Sequence, residues 1–367
     1  MDLPPLNTAP VADREALLEF VEALDDQAPR IERDVARLKA APGDREAIAD
    51  IFRAVHNIKG DAAMCKVDLA VAIAHPIETT LARLRGGEIV FSEVLAEAVL
   101  LAVDRLELAA ATLANGKSLD PLRLPALVGG LERLAHADAS AIDHEAGALI
   151  EAVTSFRASA TLSNLRGRAA APEKSVPSPA ADDLRFFREL ALRFESRSAL
   201  FKGRTSRLLR LARETNQVAG TLVDPLQLEA AVCLHDVGMM FLPESAWLKV
   251  GHLTDGEMRE LRAHPDLAHG LLSRMKGWDA AAEIVVQHHE QPDGSGYPRG
   301  LVAAAICPGA KLLAIIDAFE SIMLKHIHRG RNRSVLRAIA EVNACERQFA
   351  PEWIAPFNLV IRRAIET

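Results

Sequence analysis

One stretch divides this chain. Residues Ser159 to Asp183 read SATLSNLRGRAAAPEKSVPSPAADD, an Ala-, Ser- and Pro-rich run with prolines at 172, 177 and 179. Such a segment carries too little apolar surface to offset the entropy of ordering it. It reads as a linker over 159–183. Two separate domains are therefore expected, at 1–158 and 184–367, as suits 367 residues at roughly 100–200 per domain.

Both flanks are patterned for helices. Leu17, Leu18, Val21 and Leu24 recur at helical spacing, as do Ile48, Ile51, Phe52 and Val55. Breaks fall at Pro42-Gly43, Gly60, Gly86-Gly87 and Asn115-Gly116. Further helices are expected over 121–136 and 143–156. Past the linker, Asp224-Pro225 reads as an N-cap with proline in the first turn. Thr254 and Glu257 fit a capping box. No convincing alternating strand is found, and aromatic residues make up only 4% of the chain, which disfavours sheets. The expected class is all-α: an N-terminal helical bundle, a linker and a C-terminal all-helical domain.

Charge and cysteine usage exclude several roles. The net charge is −7, with no basic excess for a nucleic-acid polymer. Cys65, Cys233, Cys307 and Cys345 show no paired spacing, which suits a reducing compartment. The N-terminus lacks a basic start followed by an apolar run, so no signal peptide is expected. No uncharged apolar stretch reaches the ~18 residues of a membrane helix. A cytoplasmic location without a membrane span is expected.

Two constellations carry chemistry. In the first, His56 and Lys59 stand at i, i+3 on one helix, and His75 and Glu78 stand likewise on a later one. Antiparallel packing of the two helices brings the pairs together. A histidine that accepts a phosphoryl group needs one unprotonated ring nitrogen and a carboxylate, here Glu78, on the other. A cation such as Lys59 steadies the phosphoryl oxygens. FRAVHNIKGDAAMC and LAVAIAHPIETTLARLRGG closely resemble the histidine phosphotransfer (HPt) domain of the CheA chemotaxis kinases, over about 14–115. The resemblance implies a helical bundle in which His56 is phosphorylated, with Lys59, His75 and Glu78 in support. It also implies a response-regulator receiver domain, a histidine kinase or both as partners. Two departures bear on transfer rate: Asp61 stands where serine is usual, and Pro76 lies inside the His75–Glu78 helix, where it removes a backbone hydrogen bond.

The second constellation is His235-Asp236, His264, His288-His289 and Asp317. Imidazole and carboxylate suit zinc, manganese and iron. Asp317 sits in the apolar run KLLAIIDAFESIM, where a buried carboxylate needs a cation. The loop EQPDGSGYPRGL follows the histidine doublet and holds the chain's only tyrosine, Tyr297. HDVG, His264-Pro265 and HHEQPDGSGYPRGL resemble the HD-GYP family of HD phosphohydrolases, over about 184–360. The resemblance implies a helical fold, two divalent metal ions (iron or manganese) and hydrolysis of cyclic di-GMP to linear pGpG or GMP. It implies that His235, Asp236 and Asp317 hold one ion, that Asp236 bridges to a second held by His264, His288 and His289, and that Gly296, Tyr297 and Pro298 help hold the nucleotide.

This sequence departs from the family at three places. Met239 replaces a lysine. The histidine expected on the helix before HDVG is missing, with Phe201 at its place and Glu195 the nearest substitute. IHRGRN stands where the family has Arg-Pro-Tyr. These departures keep a second reading open: a degenerate HD-GYP module that binds metal or nucleotide without hydrolysis, as an effector or phosphorelay scaffold.

Overall fold

The computed structural model describes residues 14–116, 118–154, 179–248, 253–328, 335–345 and 348–366. Its helices are α1 (Arg14–Ala40), α2 (Arg45–Met64), α3 (Asp68–Gly86), α4 (Glu93–Ala114), α5 (Leu124–His136), α6 (Ile142–Thr154), α7 (Pro179–Glu195), α8 (Arg204–Val218), α9 (Pro225–Leu234), α10 (Glu244–Trp247), α11 (Asp255–Leu261), α12 (His264–Leu272), α13 (Asp279–Gln287), α14 (Pro308–His328), α15 (Val335–Ala344) and α16 (Pro351–Glu366). Among the described residues there is no strand, only an isolated bridge between Asp293 and Val302. The all-α expectation holds. Of the expected linker, 159–178 lies outside the described residues, while 179–183 opens α7 with Pro179, whose fixed φ suits a helix start.

The chain forms two compact units: α1–α6 with α15, and α7–α14 with α16. In the first, α2 packs between α1 and α3, α4 lies against α1 and α6, and α5 joins α3 to α6. Asp44 caps α2 by accepting from the Ala47 amide at 3.0 Å. The buried stripe Ile48, Ile51, Val55 and Ile58 sets the face of α2 that enters the core. His56 follows Val55 and so sits just off that stripe. Helix α3 runs on through Pro76, and its row Leu69, Ile73, Ile77, Leu81 and Leu84 meets the bundle interior.

The placement of α15 differs from the sequence reading, which put 184–367 in one domain. Helix α15 packs on α4 and α6. Its Val335, Leu336, Ile339 and Val342 are buried there. So is Arg337, at 2% exposure. Arg337 grips both oxygens of Asp104 on α4 and donates to Glu32 Oε1 on α1 at 2.5 Å. Arg105 Nη2 donates to the Ala340 carbonyl at 2.8 Å, and burial lowers the Arg105 pKa to about 10.

In the second unit, α8 packs on α9, α14 and α16, and α13 packs on α9, α12 and α14. The C-terminal ends of α9 and α13, the start of α12 and the middle of α14 thereby converge. No helix among the described residues is long and apolar enough to cross a membrane.

Candidate functional site

That convergence gathers six of the singled-out residues. His235 and Asp236 leave the end of α9, His264 opens α12, His288 and His289 leave the end of α13, and Asp317 lies midway along α14. Gly238 makes the first junction possible. A Cβ there would stand 2.1 Å from the His264 carbonyl oxygen, so only glycine lets the turn after Asp236 rest on the start of α12. Two ligand sets result: Asp236 with His264, His288 and His289, and Asp236 with His235 and Asp317. Within each set the candidate ligand atoms lie within 4.8 Å of one another.

Backbone carbonyls fix the rings. The Nδ1 atoms of His235, His264 and His288 lie 2.9, 2.7 and 2.6 Å from the carbonyls of Val232, Leu261 and Val285. A carbonyl only accepts, so each Nδ1 carries a proton and each Nε2 turns inward. The Nε2 atoms of His264 and His288 stand 3.4 Å apart. Burial lowers the pKa of both and takes His289 to about 4, so these three imidazoles are neutral near pH 7. Two lone pairs facing each other need something positive between them. Asp236 Oδ1, buried and without a hydrogen-bond partner, faces His264 Nε2 at 3.5 Å. This set of three neutral nitrogens and one carboxylate oxygen fits a divalent first-row ion.

The other set is built differently. Burial alone would raise the Asp236 carboxyl, but the charges of His235 and Arg204 hold it well below the usual carboxylate range. Burial opposes a charge on His235. Asp236, together with hydrogen bonds to Asp236 and Asp317, outweighs burial and lifts the His235 pKa to about 9.

Sequence reasoning missed the side chain that completes this half. Phe201, taken to stand for the absent histidine, stacks instead on Phe194 and Trp247 at ring separations of 5.2 and 6.2 Å. Glu195, the nearest substitute, spends both oxygens on the Gly203 and Thr205 amides, at 2.8 and 2.6 Å. Arg204 enters the cluster instead, with Nη1 2.7 Å from Asp236 Oδ2 and Nη2 2.5 Å from Asp317 Oδ1. The signal was present in the sequence: Arg204, Leu208, Leu211 and Thr215 share one buried face of α8. An arginine on an apolar stripe demands a buried anion.

The glycine loop is laid back onto the histidine doublet. Buried Glu290 accepts from the Arg299 and Leu301 amides at 2.6 and 2.8 Å. The Tyr297 amide donates to the His289 carbonyl at 3.2 Å. A Cβ at Gly296 would lie 2.3 Å from the Gln291 nitrogen, so Gly296 serves close backbone approach. The Tyr297 ring stacks on His289 at 4.8 Å, and burial raises its pKa, so the hydroxyl keeps its proton. Pro298 follows in the same loop. Met239 offers no charge, and residues 329–334, with the end of IHRGRN, lie outside the described residues.

In the first unit, α2 and α3 bring His56, Lys59 and Glu78 together. His56 Nδ1 lies 2.6 Å from Glu78 Oε1, and Lys59 donates to the other oxygen of Glu78. Partial burial would raise the Glu78 carboxyl, but hydrogen bonds from Lys59 and His56 hold it below its ordinary value. The His56 side chain is 61% exposed and lies parallel to Phe52 at 6.2 Å. Bonding Nδ1 to the carboxylate leaves Nε2 for reaction. His75 stands at the edge, with Nδ1 4.0 Å from Glu78 Oε2.

Residues 15–113 match the family model of the Hpt domain, and residues 193–351 match that of the HD domain. The chain carries an Hpt domain followed by an HD domain. His56, Lys59, His75 and Glu78 fall within the Hpt match, and all six candidate metal ligands fall within the HD match. Helix α15 also falls within the HD match, although it packs with the Hpt helices. The chain is 38% identical over 118 residues to the cyclic di-GMP phosphodiesterase response regulator RpfG of Xanthomonas campestris, covering 29% of this chain and 31% of that one. It is 30% identical over 134 residues to a cyclic di-GMP phosphodiesterase of Thermotoga maritima, covering 36% of each. It is 35% identical over 97 residues to 3'3'-cGAMP-specific phosphodiesterase 1 of Vibrio cholerae, covering 26% of this chain and 22% of that one. The chain thus spans about a third or less of the length of these curated relatives.

Proposed function

We propose that this chain is a cytoplasmic signalling protein whose HD domain hydrolyses cyclic di-GMP and whose Hpt domain receives and passes on phosphoryl groups at His56. The observation that carries the first half is the cluster of Asp236, His264, His288 and His289 beside the loop that bears Tyr297. Its relatives' names supply the substrate: two of those above are cyclic di-GMP phosphodiesterases and one is specific for 3'3'-cGAMP. Both compounds are cyclic dinucleotides, with phosphodiesters as the bonds to break.

Asp236, His264, His288 and His289 are the residues to hold a divalent ion, iron or manganese by their donor chemistry. Such an ion, when bound, supplies Lewis acidity toward a phosphoryl oxygen and lowers the pKa of water. The residues do the rest. The three carbonyls fix ring orientation, Gly238 sets Asp236 against His264, and Glu290 anchors the loop. Tyr297, stacked on His289 with its hydroxyl protonated, is assigned as the hydrogen-bond donor to a non-bridging phosphate oxygen. Gly296 and Pro298 shape the loop that presents it. In the Hpt domain, Glu78 keeps the proton on His56 Nδ1, so Nε2 is the nucleophile toward a phosphorylated receiver domain or histidine kinase. Lys59, held on Glu78, adds positive charge nearby.

The test is product formation from cyclic di-GMP and from 3'3'-cGAMP by full-length protein, purified without oxygen and loaded with iron or manganese. Linear dinucleotide is expected from cyclic di-GMP. Asp236→Ala removes a ligand outright and is expected to lose more than the roughly 10–100-fold that loss of an outer-sphere partner costs. Unchanged turnover in that variant, or cleavage of 3'3'-cGAMP alone, would refute the assignment.

A further inference from the structure

The cluster consists of two ligand sets that share Asp236, and one of them already contains a cation. We infer that Arg204 stands in for a metal ion at His235, Asp236 and Asp317, so that the centre binds a single divalent ion at Asp236, His264, His288 and His289. The inference rests on the ligand reading proposed above and departs from the two ions that the HD-GYP resemblance implies.

Distances carry it. Arg204 Nη1 is 2.7 Å from Asp236 Oδ2, and Nη2 is 2.5 Å from Asp317 Oδ1 and 3.5 Å from His235 Nε2. Every side chain of this set therefore faces guanidinium. An ion needs its nitrogen and oxygen ligands at about 2.0–2.2 Å. Meeting that requirement here sets a divalent charge against a guanidinium that cannot give up its proton. Repulsion between charges is strong in a water-poor interior. The guanidinium already does what an ion would do, which is to balance two buried carboxylates.

Arg204 is also built into its place. It is 5% exposed and is the first residue of α8. The residue before it, Gly203, takes the left-handed conformation at φ 74°, and Glu195 binds the amides on both sides of Arg204. One turn along α8, Arg207 Nε donates to Glu320 Oε1 at 2.7 Å, one turn along α14 from Asp317. Two arginines of one helix thus grip two carboxylates of the other. Swinging Arg204 out would leave Asp236 and Asp317 buried without it. The other ligand set is the opposite case: its inward atoms are the lone pairs of His264 and His288 and the unpartnered Asp236 Oδ1.

The experiment is a count of bound manganese on the full-length chain after anaerobic loading and dialysis, read with the electron paramagnetic resonance spectrum of the same sample. One ion per chain with a mononuclear spectrum is expected. Arg204→His, which trades the cation for a ligand, should raise the count to two and give an exchange-coupled spectrum. Asp317→Asn should keep one ion, because Asp317 holds Arg204 and not the metal. Two coupled ions in the unaltered protein would overturn the role of Arg204 while leaving the ligand reading intact, and that count needs no variant to fold. A count of one in Arg204→His, or loss of the ion in Asp317→Asn, would also overturn it. No ion in the unaltered protein would sink both this inference and the ligand reading.

Discussion

At the scale of single residues, the two sites use one device: an imidazole with one nitrogen bonded to a fixed acceptor and the other left to do chemistry. Backbone carbonyls play that part for His264 and His288, and the Glu78 carboxylate plays it for His56. His56→Gln should abolish phosphoryl uptake from a phosphorylated receiver domain, and Glu78→Gln should slow it while the helices remain folded. Both are read by labelled phosphate transfer alongside circular dichroism. Full uptake by the His56 variant would place the acceptor elsewhere. These residues were legible in the sequence because each pair lies one helical turn apart, a local relation. Arg204 was not legible as a site residue, because its partners Asp236 and Asp317 come from other helices. Its spacing with Leu208, Leu211 and Thr215 marks a buried face but does not say which anion it meets there.

At the scale of elements, the sequence reading worked where local patterning decides the outcome. The proline start after Asp224 and the box at Thr254 and Glu257 stand as structure. The destination of α15 was not legible. Its apolar spacing marks a helix but not which core receives it, and Arg337 in its first turn reads in isolation as a surface charge. In the structure Arg337 is enclosed with Asp104 and Glu32. Arg337→Ala leaves two buried carboxylates without their shared cation and is expected to destabilise the first unit by about 3–5 kcal/mol. Chemical denaturation of the full chain measures this. Replacing the group together (Glu32→Gln, Asp104→Asn and Arg337→Met) should recover most of the loss, since the cost lies in unpaired charge. Stability unchanged in Arg337→Ala would show that the Arg337–Asp104–Glu32 cluster contributes nothing to holding α15 on that core.

At the scale of the whole molecule, the chain passes from the first unit to the second, returns for α15 and leaves again for α16. The helix that supplies Asp317, α14, is therefore followed directly in sequence by one held among the Hpt helices. Connectivity thus joins the unit that contains His56 to the unit that contains the His/Asp cluster more than once. The most direct test of the proposed function is the rate of cyclic di-GMP hydrolysis by the full-length, chelator-stripped chain as manganese is returned stepwise, with bound metal counted at each step. The rate should start near zero and rise to its maximum at one ion per chain. No hydrolysis at any loading, or a maximum reached only at two ions, would contradict a centre in which one divalent ion works beside the guanidinium of Arg204.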